Sequence, residues 1–198
     1  MASRLRSLGY LVIDTREPGG SAISEQIRTV LLDVGNRGMN ARCELLLYLA
    51  SRAQHLADII RPSLEKGAVV LCDRYADATL AYQGFGRGLG GPVIHQLNRF
   101  ASGGLIPDLT ILLDIPVALG LERKRQEGAM DRLDLERDLF HETVRKGYLR
   151  IARQNPRRVR LIDGSAAVDQ VTVMVQRLVE QRLRLTKNHL TKVESRGV

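Results

Sequence analysis

The sequence predicts an α/β protein built on a doubly wound parallel sheet. Short apolar runs alternate with helix-length amphipathic segments along the whole chain, the pattern of repeated βαβ units. Glycine-bearing stretches rich in arginine and acidic residues follow the carboxyl ends of those runs, where open α/β sheets bind ligands. The clearest case is VVLCDRYADATLAYQGFGRG, residues 69 to 88, an apolar strand that stops at Asp73-Arg74-Tyr75 and continues into hydrogen-bonding side chains and glycines. An acid, two arginines and permissive glycines so close together suit a phosphorylated, planar ligand.

The chain has 198 residues, 44% hydrophobic and 26% charged, which suits one domain with a full core. No apolar run approaches the ~20 residues of a membrane span, and Met1 to Tyr10 holds no signal-peptide apolar segment. A cytoplasmic protein is expected, with Cys43 and Cys72 as reduced thiols. The net charge is +8, but the arginines are spread along the chain and tryptophan is absent. Small anionic ligands are therefore favoured over nucleic acid.

Residues 1 to 8 read as the tail of a helix stopped by Gly9, and residues 10 to 14 as a first strand. TREPGG (15–20) follows at its carboxyl end, and Ser21 or Ser24 can cap a helix to about residue 32. After the polar loop 33–40, one long helix is expected over 41–64, with Leu45, Leu49, Leu56 and Ile60 near helical spacing. Strand 68–73 opens the Asp73-Arg74-Tyr75 stretch. Helix 93–100, strand 109–115 and a helix from Pro116 to about 126 come next. A charged break at 128–132 leads into a helix over 133–155, a last strand at 158–162 and a closing helix over 168–185. Residues 1–185 make the domain, and the polar residues 186–198 are expected to be disordered.

Several residues can carry chemistry. Arg16, Arg74 and Arg87 all follow strand ends beside glycine-rich turns. Each taken singly is ordinarily a surface arginine; together they can clamp one phosphate through bidentate bonds. Tyr48 and Arg52 lie one helical turn apart, a ring to stack on a base and a guanidinium to read its edge, or else a core ring and a solvated charge. Arg123, Lys124, Arg125 and Arg132 surround Gly128, as a solvated charge run or as a mobile segment that closes over a transferring phosphoryl group. Asp73 and Asp114 end apolar strands and can hold Mg²⁺, orient an arginine, or simply cap the strand. His55, His95, His141 and His189 show no ligand spacing and receive no metal.

With these residues in view, the chain resembles bacterial thymidylate kinases over about residues 5 to 185. TREPGG, LLYLASRAQH (46–55), CDRYADATLAYQGFGRG, PDLTILLDI, a basic lid with DRLDLE, and FHETVRKGY come in the family's order. The resemblance implies transfer of the γ-phosphoryl group of ATP to dTMP with Mg²⁺, by a homodimer. It implies that Arg16, Glu17, Pro18, Asp73 and Arg87 belong to the substrate site. Tyr48 would stack on thymine, Arg52 read its edge and Arg74 hold the acceptor phosphate. Thr79, Tyr82 and Gln83 would contact base and sugar, with Tyr82 crowding the place of a ribose 2′-hydroxyl. It implies that Arg123, Arg125 and Arg132, in a lid over about 123–136, close on ATP, that Ala166 and Ala167 pass the adenine, and that Asp73 is the metal candidate.

Two departures stand against the family pattern. Ala78 replaces a usual serine. More consequentially, the 198 residues contain no G-x-x-x-x-G-K-[ST] phosphate loop, which the family carries after its first strand. The expectation is a sequence short of its first, central strand and that loop, ~20 residues in all. Strands 68–73 and 109–115 would then flank a gap, and the chain would be impaired in transfer. The alternative is a non-catalytic remnant that binds dTMP but not ATP.

Overall fold

In a computed structural model of the chain, residues 1–128 and 130–194 are described, residues 127 and 185–194 by backbone alone. Four parallel strands form where the apolar runs were found: β1 (Val12–Arg16), β2 (Val69–Asp73), β3 (Thr110–Asp114) and β4 (Val159–Asp163). β1 pairs with β2 in the register Val12 with Val69 to Arg16 with Asp73. β3 pairs with β4, from Thr110 with Val159 to Asp114 with Asp163. Each pair thus ends on charged residues at its carboxyl edge, where the loops of interest begin.

The four strands do not form one continuous sheet. Among the described residues, β1–β2 and β3–β4 are separate two-stranded sheets. A wide cleft lies between them, lined along its walls by β2 residues such as Val69 and Leu71 and by β3 residues such as Ile111 and Leu113. Leu113 is 49% exposed there. The amino ends of the two sheets are bridged by one apolar cluster. In it Leu5 of α1 (Ala2–Ser7), Val12 of β1 and Val179 of α9 (Val168–Glu194) pack with Val69, Leu109 and Ile111. The backbone of α9 continues helical past residue 185, where the sequence reading ended the domain; residues 195–198 lie outside the described residues.

Helices cover the sheets. α2 (Ala22–Leu32) packs on α3 (Ala41–His55). The long helix expected over 41–64 is interrupted: after α3 comes a π-helical turn, Leu56–Ile60, and then α4 (Arg61–Glu65). Pro62 lacks the N–H that a regular helix would need at that point, so the ladder is re-spaced just before it.

The glycine-bearing stretch after β2 is helical too. α5 (Ala76–Thr79) runs into π-helical turns at Leu80–Gly86. Its glycines serve packing. A Cβ on Gly86 would lie 2.7 Å from the Phe140 ring and 2.8 Å from Val144, and one on Gly147 would lie 2.7 Å from Phe85. These paired absences let α8 (Asp138–Gln154) close on the 80–86 turns. The resulting core includes Leu45, Leu49, Leu80, Ala81, Ile94 and Ile151, with Ile94 contributed by α6 (Gly91–Ala101).

α7 (Val117–Glu127) follows β3. The helix expected from residue 133 begins only at Asp138. Residues 131–136 form turns instead, because Asp131 Oδ1 accepts the Leu133 and Asp134 amides at 2.8 and 3.0 Å. A side chain that takes backbone donors in this way competes with helix.

Candidate nucleotide site

β2 delivers the site. At its end Arg74 has φ 64°, a left-handed backbone rarely adopted by a residue with a side chain. The turn sets its guanidinium 5.1 Å from the centroid of the Tyr82 ring. Tyr82 is itself braced edge-on by Phe140 and Tyr148, at centroid distances of 6.1 and 6.2 Å. Around this pair a narrow pocket is lined by Glu17, Tyr48, Arg52, Arg74, Tyr75, Ala78, Thr79, Tyr82 and Gln83. Tyr48 and Arg52 do share a face of α3, and that face forms one wall.

Arg52 is not a solvated charge. It is 2% exposed. Its Nε donates to Glu17 Oε2 at 2.8 Å and its Nη1 to Asn98 Oδ1. The Nη2 edge is what remains for a ligand. Its guanidinium carbon also sits 5.0 Å from the Tyr75 ring centroid. Burial first, and then the negative charge of Glu17, push the Tyr75 phenol up to about 12. Burial likewise raises the Tyr48 phenol, so both rings are neutral at physiological pH. Thr79 is 1% exposed, and its Oγ1 has no hydrogen-bond partner. A buried, unsatisfied hydroxyl in a pocket wall is a donor and acceptor waiting for a ligand.

The loop after β1 backs this pocket. Glu17 and Pro18 are buried, and their peptide bond is cis. Glu17 Oε1 meets His55 Nδ1 at 3.2 Å, while His55 Nε2 meets Thr15 Oγ1 at 2.7 Å. Gly20, at φ +88°, passes so close to His55 and Thr15 that a Cβ would lie 2.5 Å from Nε2. Glu17, His55 and Cys72 bring ligand-type atoms within 4.8 Å of one another. Those atoms are already engaged with each other's neighbours, and the Cys72 thiol, raised by burial, donates to the Arg74 carbonyl at 3.1 Å. Glu17 and His55 form a hydrogen-bonded brace with Arg52 and Thr15, and Cys72 sits beside it. Sequence spacing gave no hint of this grouping, since Glu17, His55 and Cys72 come from three parts of the chain.

Of the three arginines expected to grip one phosphate, Arg16 and Arg74 both line the wide cleft, and Arg87 does not. Only Arg74 lines the narrow pocket. Arg16 is exposed at the edge of the wide cleft and donates to Glu25 at 3.1 and 3.2 Å. Arg87 donates to Glu44 at 3.1 and 2.9 Å and pairs with Glu136 at 2.6 Å. The arginines expected in a lid also divide. Arg123 Nη1 donates to the Gly164 carbonyl at 3.0 Å, and Arg125 is exposed beside Glu122 at 3.7 Å. Arg132 is 3% exposed: Nε donates to the Leu31 carbonyl at 2.9 Å and Nη2 pairs with Glu44 at 2.7 Å. In this arrangement Arg132 is committed to the protein.

The two strand-end carboxylates have different fates. Asp114 takes both Nε and Nη2 of Arg145, at 2.7 and 2.9 Å. Asp73 is exposed and faces the wide cleft, which makes it the candidate for a hard cation. Ala166 and Ala167 follow the turn after β4, where Asp163 accepts from Ser165, and Ala167 is exposed.

The residue that sequence reasoning missed is Glu44. It is wholly buried on α3, one turn before Tyr48 and two before Arg52. The signal was available: Glu44, Tyr48 and Arg52 repeat at i, i+4 and i+8 on one helix face.

Comparison with known proteins now bears on this geometry. The thymidylate kinase family model matches residues 1–175. Among curated relatives, the thymidylate kinase of Syntrophotalea carbinolica is 50% identical over 177 residues, covering 86% of this chain and 82% of that protein. The thymidylate kinase of Pelobacter propionicus is 46% identical over 197 residues, covering 96% and 90%. A crystal structure of thymidylate kinase from Ehrlichia chaffeensis superposes with a TM-score of 0.70 at 31% identity, over 90% of this chain and 84% of that one.

Proposed function

The chain belongs to the thymidylate kinase family, and from that premise we propose that its pocket binds dTMP as the acceptor for the γ-phosphoryl group of ATP, giving dTDP. The observation that carries this reading is the Arg74–Tyr82 pair beside the unpartnered Thr79 hydroxyl, in a pocket walled by Tyr48, Arg52 and Gln83. Thymine stacks on Tyr48, the Nη2 edge of Arg52 reads the base, and Arg74 takes the phosphate. Tyr82, held by Phe140 and Tyr148, stands where a 2′-hydroxyl would project. No general base is required, because the attacking phosphate oxygen is largely ionised at neutral pH, its second pKa being ~6. The protein has to align two anions and offset their repulsion.

On the donor side, Arg123 and Arg125 are the lid cations, and Ala166 and Ala167 border the adenine. Arg132 serves by holding the lid's carboxyl end. Mg²⁺, which neutralises the donor phosphates when bound, fits at Asp73, an exposed carboxylate at the cleft. A phosphate loop sequence is not present in the 198 residues. The facing edges of β2 and β3 support the reading that this cleft takes a further strand bearing such a loop. On that reading the 198-residue chain keeps its dTMP pocket but transfers phosphate poorly.

Calorimetry and a coupled ATPase-type assay on the same preparation test both parts. dTMP is expected to bind in preference to the ribonucleotide, with transfer far below an ordinary kinase rate. Absence of dTMP binding overturns the substrate reading, and a full transfer rate overturns the impairment.

Self-association as a homodimer is supported by an exposed stripe of Cys43, Leu46, Ala50, Ala53 and Ala57 along α3 and the following turn, with Leu46 59% exposed. Light scattering is expected to give twice the 22.1 kDa chain mass, and Leu46→Glu to give a monomer. No described helix is long and apolar enough to cross a membrane.

A further inference from the structure

We infer that Glu44 is a positioning residue that joins the nucleotide pocket to the lid's carboxyl end, so that occupancy of one orders the other. This rests on the pocket's being the acceptor site. Glu44 has 0% exposure, yet its carboxylate accepts from Gln83 Nε2 at 2.8 Å and from Arg87 at 3.1 and 2.9 Å, and forms an ion pair with Arg132 Nη2 at 2.7 Å. Burial alone would raise its pKa. The hydrogen bonds from Arg87 and Gln83, the charge of Arg87 and the contact with Arg132 more than offset that, and the group stays ionised.

Two consequences follow from an ionised carboxylate. It accepts and never donates, so Gln83 must turn its amino end toward Glu44 and its carbonyl elsewhere. Gln83 lines the pocket, so Glu44 decides which end of that amide a ligand meets. A fixed carbonyl accepts from the ring N–H of thymine and finds no donor at the same atom of neutral cytosine. Second, the same carboxylate holds Arg132, whose backbone N–H also donates to the Leu32 carbonyl at 3.2 Å, and Arg87, which carries Glu136 at 2.6 Å. Both ends of the 131–136 turns thus hang on one buried charge.

The test uses the full chain in four forms: wild type, Glu44→Gln, Gln83→Ala and the double variant. An amide at 44 has a donor end, so Gln83 is free to flip, and the charge that holds Arg132 is gone. Glu44→Gln is expected to weaken dTMP binding ~10-fold in calorimetry, the loss of about one well-placed hydrogen bond, and to narrow the preference for dTMP over dCMP. In the Gln83→Ala background the same change is expected to cost less than ~2-fold, since its effect is routed through Gln83. Hydrogen exchange read without nucleotide is expected to speed up at 131–136 in Glu44→Gln. In wild type dTMP slows exchange there; in the variant it does not.

Unchanged dTMP affinity with faster exchange at 131–136 overturns the coupling and leaves a structural ion pair. Equal losses in both backgrounds also overturn it. Should Glu44→Gln not fold, Glu44→Asp retains the charge and withdraws the oxygens by one methylene, and the same two readouts apply to it. If wild type itself does not bind dTMP, the substrate reading fails, while the nucleotide-free exchange still judges whether Glu44 holds 131–136.

Discussion

The proposed acceptor pocket and the helix α7 both carry arginines but use most of them in opposite ways. In and behind the pocket, Arg52, Arg87 and Arg132 are buried or half-buried, each on a carboxylate at 2.6 to 2.9 Å. On α7, Arg123 and Arg125 are exposed, with one carbonyl and one carboxylate 3.7 Å away for company. The difference separates arginines that build a surface from arginines that wait on one. Buried guanidinium groups hold Glu17, Asn98 and Glu44, and through Glu44 the Gln83 amide, in place before any nucleotide arrives. Exposed ones remain free to meet phosphate, at the cost of little stability when they are lost.

The sharpest way to break this contrast is to remove a buried partner. Arg52→Ala leaves the buried Glu17 carboxylate with the His55 ring and no guanidinium, and should cost about 3–5 kcal/mol of unfolding free energy in a denaturant melt, with dTMP binding abolished. A loss below ~1 kcal/mol would mean that the pair contributes as a surface pair does. Next in size is the packing that closes the pocket from behind. Gly147→Ala places a Cβ 2.7 Å from Phe85, so α8 and the 80–86 turns must separate. About 1–3 kcal/mol is expected, with weaker dTMP binding because Phe140 and Tyr148 of α8 brace Tyr82.

Acid distinguishes the regions without mutation. The Glu44 carboxyl titrates below the ordinary glutamate value of 4.5 in the folded chain. The unfolded state therefore binds its proton first. The contribution to stability is complete above that ordinary value and is lost as pH falls through the lower folded one. The melting temperature of wild type should fall toward that of Glu44→Gln as pH drops below 4.5. Parallel curves would contradict a depressed carboxyl. The smallest effect is expected on the lid, where Arg125→Ala should leave stability within ~0.5 kcal/mol. A larger loss would place Arg125 with the buried set.

Local chemistry made much of this legible before any coordinates. Apolar runs and their flanking glycines placed all four strands to within two residues, because strands of a helix-covered parallel sheet are written as continuous apolar runs. The i, i+4 spacing put Tyr48 and Arg52 on one face, and the structure brings them to one pocket with Arg74, Thr79, Tyr82 and Gln83. Motif order suggested the family that the comparisons show.

What a one-dimensional pattern cannot carry is the identity of a charge's partner. Arg87 and Arg132 looked like phosphate ligands, as Arg74 did, since all are arginines beside charged turns. Their carboxylate, Glu44, lies 43 residues from Arg87 along the chain, and Arg132 reaches it from still farther. Coulomb attraction and desolvation act through space, so only the packing of α3 against the 80–86 turns and the 131–136 segment decided which guanidinium groups were spent. The same holds for Gly86 and Gly147, whose missing side chains have meaning only where two helices meet. The sequence by itself determined the strands and the helix faces; the tertiary structure decided which of the charged residues are engaged within the protein, because their partners are set by packing.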